Sequence, residues 1–202
     1  MAGRVTFAPL TPERWDDLGA LFGARGACGG CWCMFFRLRG KAFTEGAKGG
    51  GAPNRRALRR IVEQGPPPGL IAYVDGAPAA WCALAPREDY ERIVHSRILA
   101  PVDERPVWSV PCFFVARPYR RQGLTVKLLA EAARFAATHG ATLLEGYPVD
   151  PRKGAMPDVF AYHGTLAAFE RAGFREVARR SATRPIVRKP LRAPRGTKRP
   201  RG

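Results

Sequence analysis

The chain has 202 residues, 46% of them apolar and 25% charged, which fits one globular domain with room for a single core. No apolar run approaches the roughly 20 residues that span a bilayer. The first ten residues lack the apolar centre of a signal peptide, so a cytoplasmic protein is expected. The net charge of +17 is concentrated late, where Arg184 to Gly202 hold eight basic residues and no acid. Without that segment the body still carries +9, and a basic body favours anionic ligands, phosphorylated small molecules and nucleic acid alike.

In chain order, Val5 to Ala8 reads as a first strand. Trp15, Leu18, Leu21 and Phe22 then recur at helical spacing, and Gly23 stops that helix. A Cys-rich aromatic stretch runs from Cys28 to Arg37. Gly46 to Pro53, with Gly49, Gly50 and Gly51 in a row, predicts a mobile loop. Asn54 is placed to cap a helix over 55–64, with Leu58, Ile61 and Val62 inward, and Pro66-Pro67-Pro68-Gly69 ends it. Strands over 70–74 and 77–84 flank Asp75-Gly76, a hairpin signal. A strand over 107–115 leads to a helix over 123–138 that Gly140 ends. A strand over 142–149, a helix from Gly164 or Thr165 to Ala172 and a strand over 175–181 complete the order. The alternation predicts an α/β (α+β) fold: a mixed central sheet flanked by about four helices, with strands 107–115 and 142–149 parallel across a right-handed helical crossover. The domain is placed over residues 3–182. Residues 184–202 read as a basic tail, disordered beyond about residue 190.

The stretch most suggestive of a ligand follows the strand at 107–115. Arg120-Arg121-Gln122-Gly123-Leu124-Thr125 is a basic turn that opens a helix. A helix start leaves N–H groups unpaired and aims the positive end of its dipole outward. That suits a pyrophosphate, and Gly123 keeps a Cβ out of the way. A plain strand-to-helix turn with solvated arginines satisfies the same spacing.

Two motifs carry a resemblance. Arg120-x-x-Gly123-x-Thr125, preceded by Phe114-Val115, resembles the cofactor loop of the GNAT acetyltransferases. Phe169-Glu-Arg-Ala-Gly173-Phe174 resembles their second signature, and the element order agrees over roughly residues 3–182. The resemblance implies acetyl-CoA as co-substrate and splayed parallel strands with the cofactor between them, and the scattered Cys and His residues give no reason to expect a metal. It implies cofactor contacts from Phe114, Val115, Arg120, Arg121, Gln122, Gly123, Leu124 and Thr125, and direct acetyl transfer in a ternary complex. Two positions depart from the pattern. Thr125 replaces a small Gly or Ala. Phe169 replaces the Tyr that in many members protonates the leaving thiolate.

Acetyl transfer to an amine needs a neutral amine and a polarised carbonyl. Glu145, an acid inside the apolar run Leu143 to Tyr147, is the first candidate for general base; an acid paired with an arginine for structure is the alternative. Tyr147 shares its strand face and is the candidate acid or acceptor contact, with a packed aromatic as the alternative. Trp32, Met34, Phe35, Tyr162 and His163 are the candidate acceptor-site residues. Cys28, Cys31 and Cys33 form half a zinc motif without a second pair, and five cysteines in all suit reduced thiols. Cys112 reads as a buried strand cysteine rather than a nucleophile. The expected protein is an N-acetyltransferase of a small amine, monomeric or homodimeric and without a membrane partner. A protein or RNA-linked acceptor is the alternative, as is a non-catalytic module binding acyl-CoA or nucleic acid through the basic surface.

Overall fold

The computed structural model describes residues 3–151 and 162–192. The first sheet joins β1 (Val5–Pro9), β2 (Gly69–Val74), β3 (Ala77–Ala83) and β6 (Phe113–Val115), each antiparallel to its neighbour. The second sheet has the order β4-β5-β7-β9-β8, from β4 (Ala85–Pro86), β5 (Trp108–Val110), β7 (Leu143–Gly146), β9 (Pro185–Pro190) and β8 (Arg175–Arg179). In it β5 and β7 run parallel, with Trp108 opposite Leu144 and Val110 opposite Gly146.

Six α-helices flank the sheets among the described residues: α1 (Trp15–Phe22), α2 (Gly40–Ala47), α3 (Ala52–Gln64), α4 (Glu91–Val94), α5 (Leu124–Thr138) and α6 (Leu166–Arg171). On one side, Leu128, Leu129, Ala132 and Ala136 of α5 and Phe169 of α6 bury against Leu70, Ala72, Val110 and Leu144. On the other side, α1 and α3 close over Ile71 and Trp81, with Trp15, Leu18, Leu58 and Val62 inward. A third cluster, Phe36, Tyr90, Ile93, Leu99, Tyr147 and Ile186, covers that side of the second sheet. Leu144 and Tyr147 thus join opposite clusters, and the fully buried Glu145 bonds to Tyr147.

Four expectations change. The strand expected over 107–115 is two strands in two sheets. Pro111 has no N–H for a ladder, so pairing with β7 stops at Val110, and Cys112 O instead accepts from Ala83 N of the first sheet at 2.9 Å. The loop expected over 46–53 is ordered by α2 and a 3₁₀ turn. Its glycines serve close approach, since a Cβ on Gly51 would overlap the backbone of Gly30 and one on Gly46 would overlap Asn54. Asn54 is not the cap of α3. Gly51 holds that position in the left-handed region, while Asn54, 1% exposed, donates Nδ2 to Gly30 O at 3.0 Å.

The fourth change concerns the expected tail. Residues 185–190 are no tail but an inner strand, paired on one side with β7 and on the other with β8. The run Pro-Ile-Val-Arg-Lys-Pro holds few apolar residues, which hides the strand in sequence. Burial works because Ile186 and Val187 fill the core and carboxylates neutralise Arg188. The tail beyond residue 192 lies outside the described residues.

Candidate functional site

The two sheets part where β5 gives way to β6. Val110 and Gly146 are the last register pair, after which β6 crosses to β3 while the chain from β7 turns away. A splay between parallel strands results. β6 is the terminal strand of its sheet. The bonds Ala83 N to Cys112 O and Ala116 N to Ala79 O fix the alternation, which turns the N–H and C=O of Phe113 and Val115 away from β3 and toward the splay. Of the two strand residues expected to contact the cofactor, Val115 turns its N–H and C=O toward the splay. The main chain of Phe114 is turned toward β3, and its ring packs on Phe22 at 5.5 Å.

At the end of β6 a 3₁₀ turn, Arg117–Tyr119, leads to the start of α5. Arg121 has φ 62° and Gly123 has φ 75°. Two left-handed residues so close curl the backbone into a cup of N–H groups, the arrangement that receives anions. Among the described residues no acceptor meets the N–H groups of Leu124 and Thr125 in the first helical turn. A Cβ at Gly123 would meet nothing within 4 Å, so the cup is open there. The side chains of Arg120 and Gln122 brace the turn: Arg120 Nε donates to Val115 O at 3.1 Å and Gln122 Nε2 to Pro118 O at 2.9 Å. Thr125 is half-buried and Leu124 packs inward. These features fit a pyrophosphate at the cup and an extended chain along the β6 edge.

Glu145 and Tyr147 come together on the side of the splay away from α5. Glu145 is 0% exposed. Its Oε1 accepts from the Tyr147 hydroxyl at 2.6 Å and its Oε2 from Arg188 Nε at 2.6 Å. Ser109 Oγ lies 2.9 Å from the same hydroxyl. Arg188 also forks onto Asp103 at 2.7 and 3.1 Å, which holds that carboxyl well below the usual range. Burial and the Glu145 carboxylate push the Tyr147 phenol well above its ordinary value. The sequence did not point to Ser109, Asp103 or Arg188. Only Arg188 left a signal, as a basic residue next to an Ile-Val pair.

The expected acceptor residues separate into two groups. Phe35, Tyr162 and His163 gather: Phe35 meets Tyr162 edge-on at 6.3 Å, and the Tyr162 and His163 rings lie 3.8 Å apart. Phe43 and Arg92 extend this wall, Arg92 lying 4.1 Å over the Phe35 ring. Burial and Arg184 lower His163 to about 3, so it is neutral. Trp32 and Met34 instead belong to the core under α1 and α3, where Trp32 stacks on Trp15 at 6.1 Å. The backbone turns sharply there, with positive φ at both Trp32 and Cys33, and sends the indole away from Phe35. Phe169 is fully buried against Phe113 and Phe174, and a Cβ on Gly146 would overlap its ring. Cys33 Sγ lies 3.9 Å from Cys112 Sγ and accepts from Trp81 Nε1 at 2.9 Å. The five cysteines are free, and no metal-holding cluster of three or more His, Cys, Asp or Glu exists among the described residues. No described helix is long and apolar enough to cross a membrane.

Comparison with known proteins agrees with this geometry. Among solved structures, a GNAT-family acetyltransferase from Desulfovibrio desulfuricans superposes with TM-score 0.51 at 20% identity, over 93% of this chain and 99% of that one. One from Streptococcus agalactiae superposes with TM-score 0.56 at 14% identity, over 95% and 98%. The NatC complex bound to Gag peptide and CoA superposes with TM-score 0.50 at 12% identity, over 94% and 99%. No curated protein matches the sequence. The model of the acetyltransferase (GNAT) family matches residues 32–156, more than half of the chain, and this chain belongs to that family.

Proposed function

We propose that the protein transfers the acetyl group of acetyl-CoA to the amine of a small molecule, directly, in a complex of both substrates. The observation that carries this reading is the splay, whose open β6 edge runs into the N–H cup at Arg121 to Thr125. A structural neighbour that carries CoA accords with it. Bound acetyl-CoA supplies an acetyl group activated as a thioester. The cup and the start of α5 hold its pyrophosphate, and the outward N–H groups of Phe113 and Val115 and the C=O of Phe113 hold its extended arm. An N–H on that edge is fixed in place to polarise the thioester carbonyl without reorganising.

On the other side, the wall of Phe35, Phe43 and Tyr162 offers a compact aromatic face, which suits a small acceptor better than a chain. Tyr147 takes the proton that the attacking amine loses and passes its own along the 2.6 Å bond to Glu145. Arg188 Nε donates to Glu145 Oε2 at 2.6 Å and keeps the carboxyl group aimed. With Phe169 at the other signature position, no phenol from α6 serves the leaving thiolate.

Calorimetry with acetyl-CoA tests the donor half. Binding in the micromolar range is expected, and Arg120→Ala with Gly123→Glu abolishes it by removing a turn brace and placing a carboxylate in the cup. Affinity that survives both changes, with the fold intact by circular dichroism, overturns the placement of the site.

A further inference from the structure

Beside the splay lies a charge that no described carboxylate neutralises. Arg184, which immediately precedes β9, reaches back to the end of β7, where its Nη2 donates to Tyr147 O at 3.1 Å and meets His163 Nδ1 at 3.3 Å. His163 Nδ1 in turn lies 3.4 Å from Pro111 O. Tyr147 and Pro111 are the first residues past the last register pair on their two strands. Arg184 and His163 therefore span the mouth of the splay.

Arg37, Arg87, Arg179 and Arg188 each lie within ion-pair distance of a carboxylate. Arg184 has none among the described residues, and its Nε is buried without an acceptor. Its neighbours are a carbonyl, a neutral imidazole and the Tyr162 phenol. Burial without a counter-charge lowers its pKa. A half-buried guanidinium left in this state is unfavourable, and it becomes favourable when a ligand brings the missing anion.

The direction of that ligand follows from the packing. The anion cup belongs to α5, whose core lies on one side of the sheets. Phe35, Phe36, Tyr147 and Tyr162 form the cluster on the other side, where His163 packs on Phe36 at 5.6 Å. The cofactor phosphates and Arg184 therefore occupy different faces, and Arg184 sits with the aromatic wall assigned above to the acceptor.

We propose that Arg184 docks a carboxylate of the acceptor, so that the preferred substrate is a small amine bearing a free acid. This deepens the acetyltransferase reading and rests on it. A fixed cation near the amine also disfavours the ammonium form, which leaves the nucleophile neutral. Arg suits the task because its planar fork holds a carboxylate through two N–H groups.

The test follows acetylation of matched amines by the full chain with acetyl-CoA: 4-aminobutyrate against its amide, 6-aminohexanoate against its amide, and O-phosphoethanolamine, each corrected for its neutral-amine fraction. Each acid is expected to exceed its amide in kcat/KM by about ten-fold or more, mainly through KM. Arg184→Gln erases that preference and Arg184→Lys retains part of it, while calorimetric affinity for acetyl-CoA stays as in the wild type. Equal rates for acid and amide in the wild type overturn the proposal without any variant having to fold. So does a faster reaction with O-phosphoethanolamine than with either acid, which makes the docked group a phosphate. An equal fall in kcat for every acceptor in Arg184→Gln also overturns it, because the guanidinium then acts on the acetyl group. Failure of the wild type to bind acetyl-CoA at all overturns the acetyltransferase reading, and the proposal falls with it.

Discussion

Glu145→Gln separates the two roles that the sequence left open for this residue. The native carboxylate is fully buried, 2.6 Å from Arg188 Nε and 2.6 Å from the Tyr147 hydroxyl. Removing one member of a buried ion pair costs about 3–5 kcal/mol. Two features soften the loss. Gln keeps a carbonyl for Tyr147, and Asp103 still neutralises Arg188 at 2.7 Å. The expected destabilisation is therefore about 2–4 kcal/mol. In a chain of this length each kcal/mol lowers Tm by about 2–4 °C, so Tm falls by about 5–15 °C. Urea unfolding gives the free energy and a thermal scan the Tm. A loss below about 1 kcal/mol refutes the ion-pair account.

The chemical role needs a companion. Replacing a whole buried pair by apolar residues of similar volume often restores stability. Because Arg87 Nη1 also lies 4.0 Å from Glu145, the whole cluster is replaced in a Glu145→Leu/Arg188→Met/Arg87→Met variant, which should recover most of the loss seen in Glu145→Gln. If Glu145 receives a proton through Tyr147, this stable variant still turns over far more slowly than wild type, and the basic shoulder of its pH–rate profile changes. Restored turnover together with restored stability would assign Glu145 to structure alone.

His163 provides a pH test. Its folded value of about 3 lies below the ordinary 6.5, so the unfolded chain binds more protons between those limits. Its share of stability is complete above about pH 6.5 and is lost as pH falls toward 3. Relative to His163→Asn, the wild type should lose about 3 kcal/mol between pH 7 and pH 4 in urea unfolding. A difference that does not vary with pH means the imidazole is not held neutral. Gly146→Ala puts a methyl group into the Phe169 ring at the base of the splay, where the added carbon would lie 2.8 Å from its Cζ. The expected cost is about 1–3 kcal/mol, and Phe169→Leu should relieve part of it. Strictly additive losses in that pair would show that the two do not collide.

What was legible in the sequence was local. Heptad-like spacing of Trp15, Leu18 and Phe22 marked α1, Asp75-Gly76 marked the β2–β3 turn, and Thr165 accepts from Ala168 N as a cap at the start of α6. The turn before α5 was visible because a strand, basic residues and a glycine stand in fixed order. The break at Pro111 was visible in principle, since a proline inside a predicted inner strand argues against that assignment. The helix α2 was not, because Gly40 and Gly46 lower helix propensity and the segment is held by contacts with Gly30 and Asn54 instead. The divergence of Trp32 and Phe35 was hidden too, since it follows from positive φ at Trp32 and Cys33, two residues that rarely adopt it.

The largest misreading concerned charge, and its cause is general. Composition treats the arginines near the end of the chain as alike, so Arg184 and Arg188 entered one basic run. Pairing across the sheet then gives them opposite electrostatic states. Arg188 lands opposite Glu145 in β7 and beside Asp103, so its burial is compensated and it becomes part of the sheet. Arg184 lies outside the ladder, against a carbonyl and a neutral histidine, and its burial is not compensated. Four residues of sequence separate a structural cation from one with no carboxylate partner among the described residues. The difference depends on long-range register, β7 against β9, which no local pattern encodes. A charge count therefore placed Arg184 and Arg188 in one basic tail, whereas the register makes Arg188 a paired cation of the sheet and leaves Arg184 with no carboxylate partner among the described residues.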